Sequence, residues 1–307
     1  MGSGRWDPST WSDYSKSTVG KTTDKIYTSR TIDKDLDPKG VMMRESRDSV
    51  DNPNSTPIIV GLDVTGSMGM IADTLAREGL GVLFTEILDR KPVTDPHIMF
   101  MAIGDANCDQ FPLQVSQFEA DSRIIEQLTK MYLERGGGGN MFESYNLPWY
   151  FAAQHTSIDS FEKRKKKGYL FTVGDEQAPG PLTIAQIKEF VGDDITQNLP
   201  SKDILRMVQK MYHVFHVIVE EGSHARSYPK QVLDSWTEIL GQHVLKLSDH
   251  MKLSEVIVSA IQVVEGADKA EVVSSWSGST AVVVKNALDG LTTSINKKKT
   301  SKGVTKF

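Results

Sequence analysis

Pro57-Ile58-Ile59-Val60-Gly61-Leu62-Asp63-Val64-Thr65-Gly66-Ser67-Met68 is the stretch on which the reading of this chain turns. Its first half is a short apolar run rich in β-branched residues, as in a strand buried on both faces of a sheet. The run stops at a carboxylate, two hydroxyls and a glycine, and a helical pattern follows. Asp63, Thr65 and Ser67 alternate along a segment leaving a strand, so all three side chains can point to one side of the turn. Three hard oxygen donors facing one point suit a small divalent cation such as Mg²⁺. A carboxylate that merely capped the next helix would not need two more oxygens at this spacing.

Outward from this stretch, strands and helices alternate. Residues 69–90 keep Ile71, Leu75, Val82, Leu83 and Leu88 on one side, which predicts a helix weakened by Gly79 and Gly81 and ended by Pro92. A second strand is expected over 97–104. Over 111–118, Phe111, Leu113 and Val115 alternate, and Pro112 cannot donate to a ladder, so this is an edge strand of an antiparallel hairpin. Asp121 or Ser122 caps a helix carrying Ile124, Ile125 and Leu128. Residues 134–140 include four consecutive glycines, which let another group approach the backbone closely. A helix over about 142–156 follows, with Pro148 in its first turns or at a kink. Residues 168–173 form a continuous apolar strand that ends in Gly174-Asp175-Glu176. Thr183 and Gln186 have capping-box spacing for a helix through Phe190. Beyond them lie a helix over 204–211, a strand over 213–219, a helix over 228–240, a short strand over 243–247 and a helix over 253–264. Such alternation implies a parallel sheet with right-handed crossovers. The expected fold is therefore α/β and doubly wound. It has a mostly parallel six-stranded sheet with one antiparallel edge strand, and helices on both faces.

The pattern Asp63-Val64-Thr65-Gly66-Ser67 resembles the metal-ion-dependent adhesion site of von Willebrand factor A domains, which usually reads Asp-x-Ser-x-Ser or Asp-x-Thr-x-Ser. The order of elements over about 57–265, edge hairpin included, is similar to that Rossmann-like family, and to its intracellular bacterial and phage-type members in particular. The resemblance implies a metal centre beyond the carboxyl ends of the strands, where open parallel sheets bind ligands. Three loops would build it: Asp63, Thr65 and Ser67 from the first, the glycine-rich loop as the second, and Asp175 from the third. One coordination position would stay open for a partner's carboxylate. The second loop departs from the family's usual Gly-Gly-Thr-Asn, because Gly139, before Asn140, has no side-chain oxygen. Asn140, Glu143 or Ser144 are the candidates to replace that ligand. A third carboxylate, Glu143, would strengthen cation binding but could fill the position a partner needs. The alternative is a vestigial site kept as a helix-capping turn.

Residues 1–55 are polar, interrupted by Trp6, Trp11, Tyr14 and Tyr27. They read as a flexible arm, or as one that docks by its aromatics. Residues 56–265 are the von Willebrand A-like domain, and 266–307 a C-terminal extension ending in a basic tail. In that extension, 271–276 and 280–291 could make one helix, or a strand and a helix. The basic run 163–167 reads as solvated surface, an acidic partner being the other reading.

Composition excludes several classes. The net charge of −5 and pI of about 5.8 do not suggest a nucleic-acid surface. The single cysteine, Cys108, permits no internal disulfide and fits a reducing compartment. No apolar run reaches the roughly 18 residues needed to span a bilayer, and the first residues lack a signal-peptide core. A cytoplasmic location, or one inside an infected cell or virion, is therefore expected, with no membrane partner. His213 and His216, three apart on a strand, face opposite sides and cannot share one metal. Asp105 and Asp109 read as a surface turn, with an auxiliary cation site as the alternative.

The function expected from all this is a non-enzymatic protein-binding module. It would use Mg²⁺, or Mn²⁺ or Ca²⁺, to engage an acidic residue of a partner protein. The alternative is a scaffold component assembled through its terminal arms, in a virus particle or a stress complex linked to an AAA+ ATPase. A metal-dependent hydrolase is a third reading, but no general base stands out.

Overall fold

The computed structural model describes residues 4, 6–18, 20–66, 68–74, 77, 79–134 and 142–292. In chain order its first half forms α1 (Pro8–Thr18), α2 (Thr23–Ile26), β1 (Arg44–Ser46), β2 (Thr56–Asp63), α3 (Gly69–Thr74), α4 (Leu80–Arg90), β3 (Pro96–Ile103), β4 (Leu113–Val115) and α5 (Arg123–Thr129). Then come α6 (Asn146–Gln154), β5 (Thr156–Ile158), α7 (Asp159–Arg164), β6 (Gly168–Gly174), α8 (Ile184–Phe190) and α9 (Ser201–Val208). The remainder forms β7 (Tyr212–Val219), α10 (Ser223–Ser227), α11 (Pro229–Leu240), β8 (Val244–Leu247), α12 (Leu253–Val264), α13 (Lys269–Ser274) and α14 (Gly278–Ala287).

Six of these strands form one sheet in the order β4-β3-β2-β6-β7-β8. All neighbours are parallel except β4, which runs antiparallel to β3 at the edge. Every residue of β2, β3 and β6 is buried, which is why these strands read as unbroken apolar runs. One face of the sheet, through Val60, Phe100, Phe171 and Phe215, packs against α4, α5, α12 and α14. The other, through Ile59, Met101, Leu170 and Val214, packs against α6, α8, α9 and α11. From β2 the chain moves outward to β3 and β4, then returns to β6 and proceeds the opposite way to β7 and β8. Strand order therefore reverses between β2 and β6, the topological position beyond whose carboxyl ends open α/β sheets bind ligands.

Some elements differ from expectation. α3 and α4 both fall within the helix expected over 69–90, and residues 75, 76 and 78 between them lie outside the described residues. The helix expected over 142–156 starts at Asn146, with Pro148 in its first turn, where a missing N–H costs nothing. Residues 156–158 pair in parallel with β1 as a second, two-stranded sheet. The C-terminal extension makes two helices, α13 and α14, whose Val272, Val283 and Val284 join the core beside α12.

The N-terminal arm docks. Ile26, Tyr27 and Leu36 are buried in the core, and the Trp6 indole N–H donates to Pro96 O at 2.9 Å. The basic run 163–167 lies at the surface and is ion-paired there: Arg164 reaches Asp48 at 2.7 Å and Lys166 reaches Glu265 at 2.9 Å. No helix among the described residues is long and apolar enough to cross a membrane.

Candidate metal centre

Asp63 ends β2 with its side chain fully buried. Its Oδ1 accepts from the Thr65 amide at 2.9 Å and the Thr65 hydroxyl at 2.6 Å. Its Oδ2 accepts from the Tyr145 hydroxyl at 2.9 Å. Because the Thr65 hydroxyl spends its proton on Asp63, its lone pairs remain for an electrophile. Burial pushes the Asp63 carboxyl up to about 7; the Thr65 hydrogen bonds oppose this and the charge of Asp175 adds to it.

Asp175, also fully buried, follows β6 on the far side of the switch point. Its Oδ2 accepts from the His224 amide at 2.8 Å, which anchors it to the loop after β7. Gly222 makes room for it, since a Cβ there would lie 2.3 Å from the Asp175 Cβ. Tyr145 spans the two strand ends. Its ring occupies the space beside Gly174, where a Cβ would come within 2.0 Å of its hydroxyl oxygen. That oxygen also accepts a long contact, 3.4 Å, from the Glu176 amide.

Further carboxylates face the same rim. Glu143 is 6% exposed, and its Oε2 is buried with no hydrogen-bond partner. Burial, then the charges of Asp63, Asp109, Asp105 and Glu176, push its carboxyl up to about 10. Glu176 is pushed up to about 8 by burial and by Asp175, Asp63 and Asp105. The group nearest Glu176 of opposite potential charge is His224, 3.5 Å away, and burial lowers that imidazole's pKa, so it offers little positive charge at neutral pH. Among the described residues no Lys or Arg forms an ion pair with Asp63, Glu143 or Glu176. Asp105 directly follows β3 and is 1% exposed. It accepts from the Asn107 amide at 2.9 Å, so the expected Asx turn exists, but it is buried. Exposed Cys108, in the same turn, has its thiol pushed up to about 12 by desolvation, by its bond to Asp105 and by the surrounding acids, which disfavours the thiolate.

Of the residues singled out from sequence, Asp63, Thr65, Glu143 and Asp175 therefore share one electrostatic environment. Ser144 serves it indirectly: its Oγ accepts from the Ala106 amide at 2.9 Å and its amide donates to Gly104 O at 3.1 Å, fixing the loop after β3. Ser67 and Asn140 lie outside the described residues, as does the glycine-rich loop from 135 onward. Tyr145 and Glu176 were not among the expected ligands. Asp105 was expected as a surface turn or an auxiliary cation site, and the repeated Gly-Asp at the ends of β3 and β6 is the sequence signal that relates it to Asp175.

The described carboxylates do not crowd onto a single point. Among the described residues, the one group of three His, Cys, Asp or Glu ligand atoms within 4.8 Å of one another is Glu221, Asp249 and His250, elsewhere on the edge. There Glu221 accepts from the His250 amide at 2.6 Å, and Asp249 accepts from the Met251 amide at 3.0 Å, so that cluster is an internally bonded turn. At the β2/β6 rim the donor set fits a hard cation held by hydroxyls and by carboxylates acting partly through water. The buried, unpartnered Oε2 of Glu143 is the observation that such an ion would satisfy.

No family model matches this chain, and no curated protein is similar to it in sequence. Solved structures do match. The open conformation of the pilus adhesin SpaC from Lactobacillus rhamnosus GG aligns with TM-score 0.44 and 8% identity over 72% of this chain and 31% of that chain. Proximal thread matrix protein 1 of the mussel byssus aligns with TM-score 0.40 and 12% identity, over 68% of this chain and 47% of that one. A von Willebrand factor type A protein from Catenulispora acidiphila aligns with TM-score 0.36 and 15% identity, over 70% and 44%. This chain thus spans less than half the length of each. The fold assignment rests on the sheet order and strand directions given above.

Proposed function

We propose that this protein is a non-enzymatic binding module that holds a divalent cation, Mg²⁺ or alternatively Mn²⁺ or Ca²⁺, at the β2/β6 rim and uses it to engage an acidic group of a partner protein. One observation carries the reading: Asp63, Glu143 and Glu176 converge in a buried rim with their carboxyls raised by burial and by one another, and no Lys or Arg of the described chain compensates them. Gathering acids without a counter-charge is costly to the fold, and an external cation offsets that cost. Asp63, Thr65 and Asp175 are the residues that would hold the ion. Glu143, Asn140, Ser144 and Ser67 remain candidates for the rest of its shell. When bound, the cation supplies Lewis acidity toward a carboxylate oxygen. The chain's own part is to orient Asp63 through Tyr145 and Thr65, and Asp175 through the His224 amide.

The test is calorimetric titration of Mg²⁺ and Mn²⁺ into the full chain and into Asp63→Ala. A saturable heat in the parent that falls at least about 100-fold in affinity in the variant is the expected result. Equal heats in both, or none in the parent, would remove the proposal.

A further inference from the structure

The cleft between the N-terminal arm and α5 shares no residue with the rim just described. It has a volume of about 370 Å³ and is lined by Arg44, Lys34, Leu36, Gln117, Glu119 and Arg123, among others. Arg44 is only 6% exposed. Its backbone is fixed, because its amide donates to His155 O at 2.8 Å and β1 pairs with β5. Its Nη2 donates to two carbonyls, Asp35 O at 2.5 Å and Val115 O at 3.1 Å. Its Nε is buried with no partner, and no carboxylate of the described chain lies within ion-pair distance of the guanidinium. The Asp35 carboxylate, on an exposed residue, acts on it only from a distance.

A buried guanidinium satisfied only by neutral carbonyls keeps its charge uncompensated, which protein interiors avoid. Of the three acids of the cleft, exposed Asp35 acts on Arg44 only from a distance, and the other two are already engaged. Glu119 pairs with Arg123 at 3.1 Å and accepts from Gln127 at 2.8 Å; Glu126 pairs with Lys130 at 2.6 Å. Left over are two cations, buried Arg44 and exposed Lys34, against one acid, exposed Asp35. Such a cleft has the size of a small-ligand site. The planar guanidinium matches a planar carboxylate, and its fixed backbone means little ordering is lost on binding. A dianion would be opposed by Asp35, Glu119 and Glu126 around the same cleft.

We propose that this cleft binds the carboxylate group of a small organic acid, with Arg44 as the buried anchor and Lys34 as a second, exposed cation. Benzoate, acetate and inorganic phosphate are titrated into the full chain at constant ionic strength, followed by ligand-detected NMR. Saturable binding of benzoate is expected, with phosphate at least tenfold weaker. Arg44→Gln should weaken benzoate at least tenfold and Lys34→Gln severalfold, whereas Asp63→Ala leaves it unchanged. Lys34 is exposed, so its variant keeps the test decisive should Arg44→Gln fail to fold. No saturable benzoate or acetate binding to the parent, phosphate binding tighter than both, or unchanged benzoate affinity in Lys34→Gln would each overturn the proposal.

Discussion

At the amino end of the sheet, Asp48 and Asp159 stand among Arg47, Lys163 and Arg164; at its carboxyl end, Asp63, Glu143, Asp175 and Glu176 stand among one another. Both sets are largely removed from water. Burial by itself would raise the carboxyls of Asp48, Asp159, Asp63, Glu143 and Glu176. At the amino end hydrogen bonds overcome it. Arg164 and Ser55 hold Asp48 well below its ordinary value, and Lys163, the Asp48 amide and Arg47 hold Asp159 below its own. At the carboxyl end the neighbours of Asp63, Glu143 and Glu176 add to burial. The chain thus supplies three cations to one acidic region, while among the described residues neither Lys nor Arg pairs with Asp63, Glu143 or Glu176 at the other. The amino-end network ties the docked arm to α7 and completes itself. The rim does not, and that asymmetry is the physical content of the proposed metal centre.

The comparison is sharpened most by acid, which acts on the amino-end region through His97. This imidazole is fully buried, bonded to Ser46 Oγ at 3.0 Å through Nδ1, while its Nε2 has no partner. Burial lowers its pKa to about 4, against a partial opposing pull from Asp95 and Asp48. Between pH 6.5 and 4 the unfolded chain therefore binds a proton that the folded chain refuses. The sign follows: this contribution is fully present above pH 6.5 and is lost as pH falls toward 4, up to about 3 kcal/mol. Urea midpoints at pH 7 and pH 4.5 for the parent and His97→Gln should show a smaller acid loss in the variant. Equal losses would mean that His97 is not held neutral.

A smaller effect comes from uncoupling the compensated network itself. Arg164 donates to Asp48 Oδ2 at 2.7 Å and to Ser55 O at 2.8 Å, with its side chain 28% exposed. Arg164→Met leaves Asp48 with Lys163 as its remaining ion-pair partner, at 3.4 Å. The expected cost is about 1–2 kcal/mol, between a surface pair and a fully buried one. Thermal unfolding with and without Mg²⁺ distinguishes the two regions: the loss should be the same in both conditions. If Mg²⁺ rescued Arg164→Met, the cation would be acting at the amino-end acids and the contrast would collapse.

How much of this was legible in the sequence follows from the same physics. β2, β3 and β6 are buried along their whole length and β7 nearly so, so their residues are mostly apolar and announce themselves. β1 and β5 are three residues each, too short to show a period, and their pairing joins positions more than 100 apart. At the site, Asp63 and Thr65 could be read because a strand delivers them to its own end. Asp175 could be read for the same reason. Glu143 could be read as a replacement ligand from its place just after the glycine-rich loop. Tyr145 could not: it comes from the approach to α6, and only the packing of α6 on the sheet brings it to the rim.

That overlooked tyrosine gives the finest test of the rim. Its ring packs edge-on against His216 at 4.9 Å and Trp236 at 5.5 Å, contacts that phenylalanine preserves. Tyr145→Phe therefore removes little beyond the hydroxyl that donates to Asp63 Oδ2 and the long contact from the Glu176 amide. If Asp63 were merely a buried structural acid, losing that donor would lower stability by about 1 kcal/mol and leave cation binding alone. If the hydroxyl aims Asp63 at an ion, affinity for Mg²⁺ falls several-fold as well, because the freed carboxylate must be ordered at binding. Trp236 is placed to report it: its indole N–H donates to Glu176 O at 2.9 Å, and His216 stacks on its ring at 3.5 Å. Titrating Mg²⁺ against tryptophan emission in the parent and in Tyr145→Phe separates the two roles. A stability loss without an affinity loss would make Tyr145 a packing residue, and the rim would then lose the part that joins its two strand ends into one site.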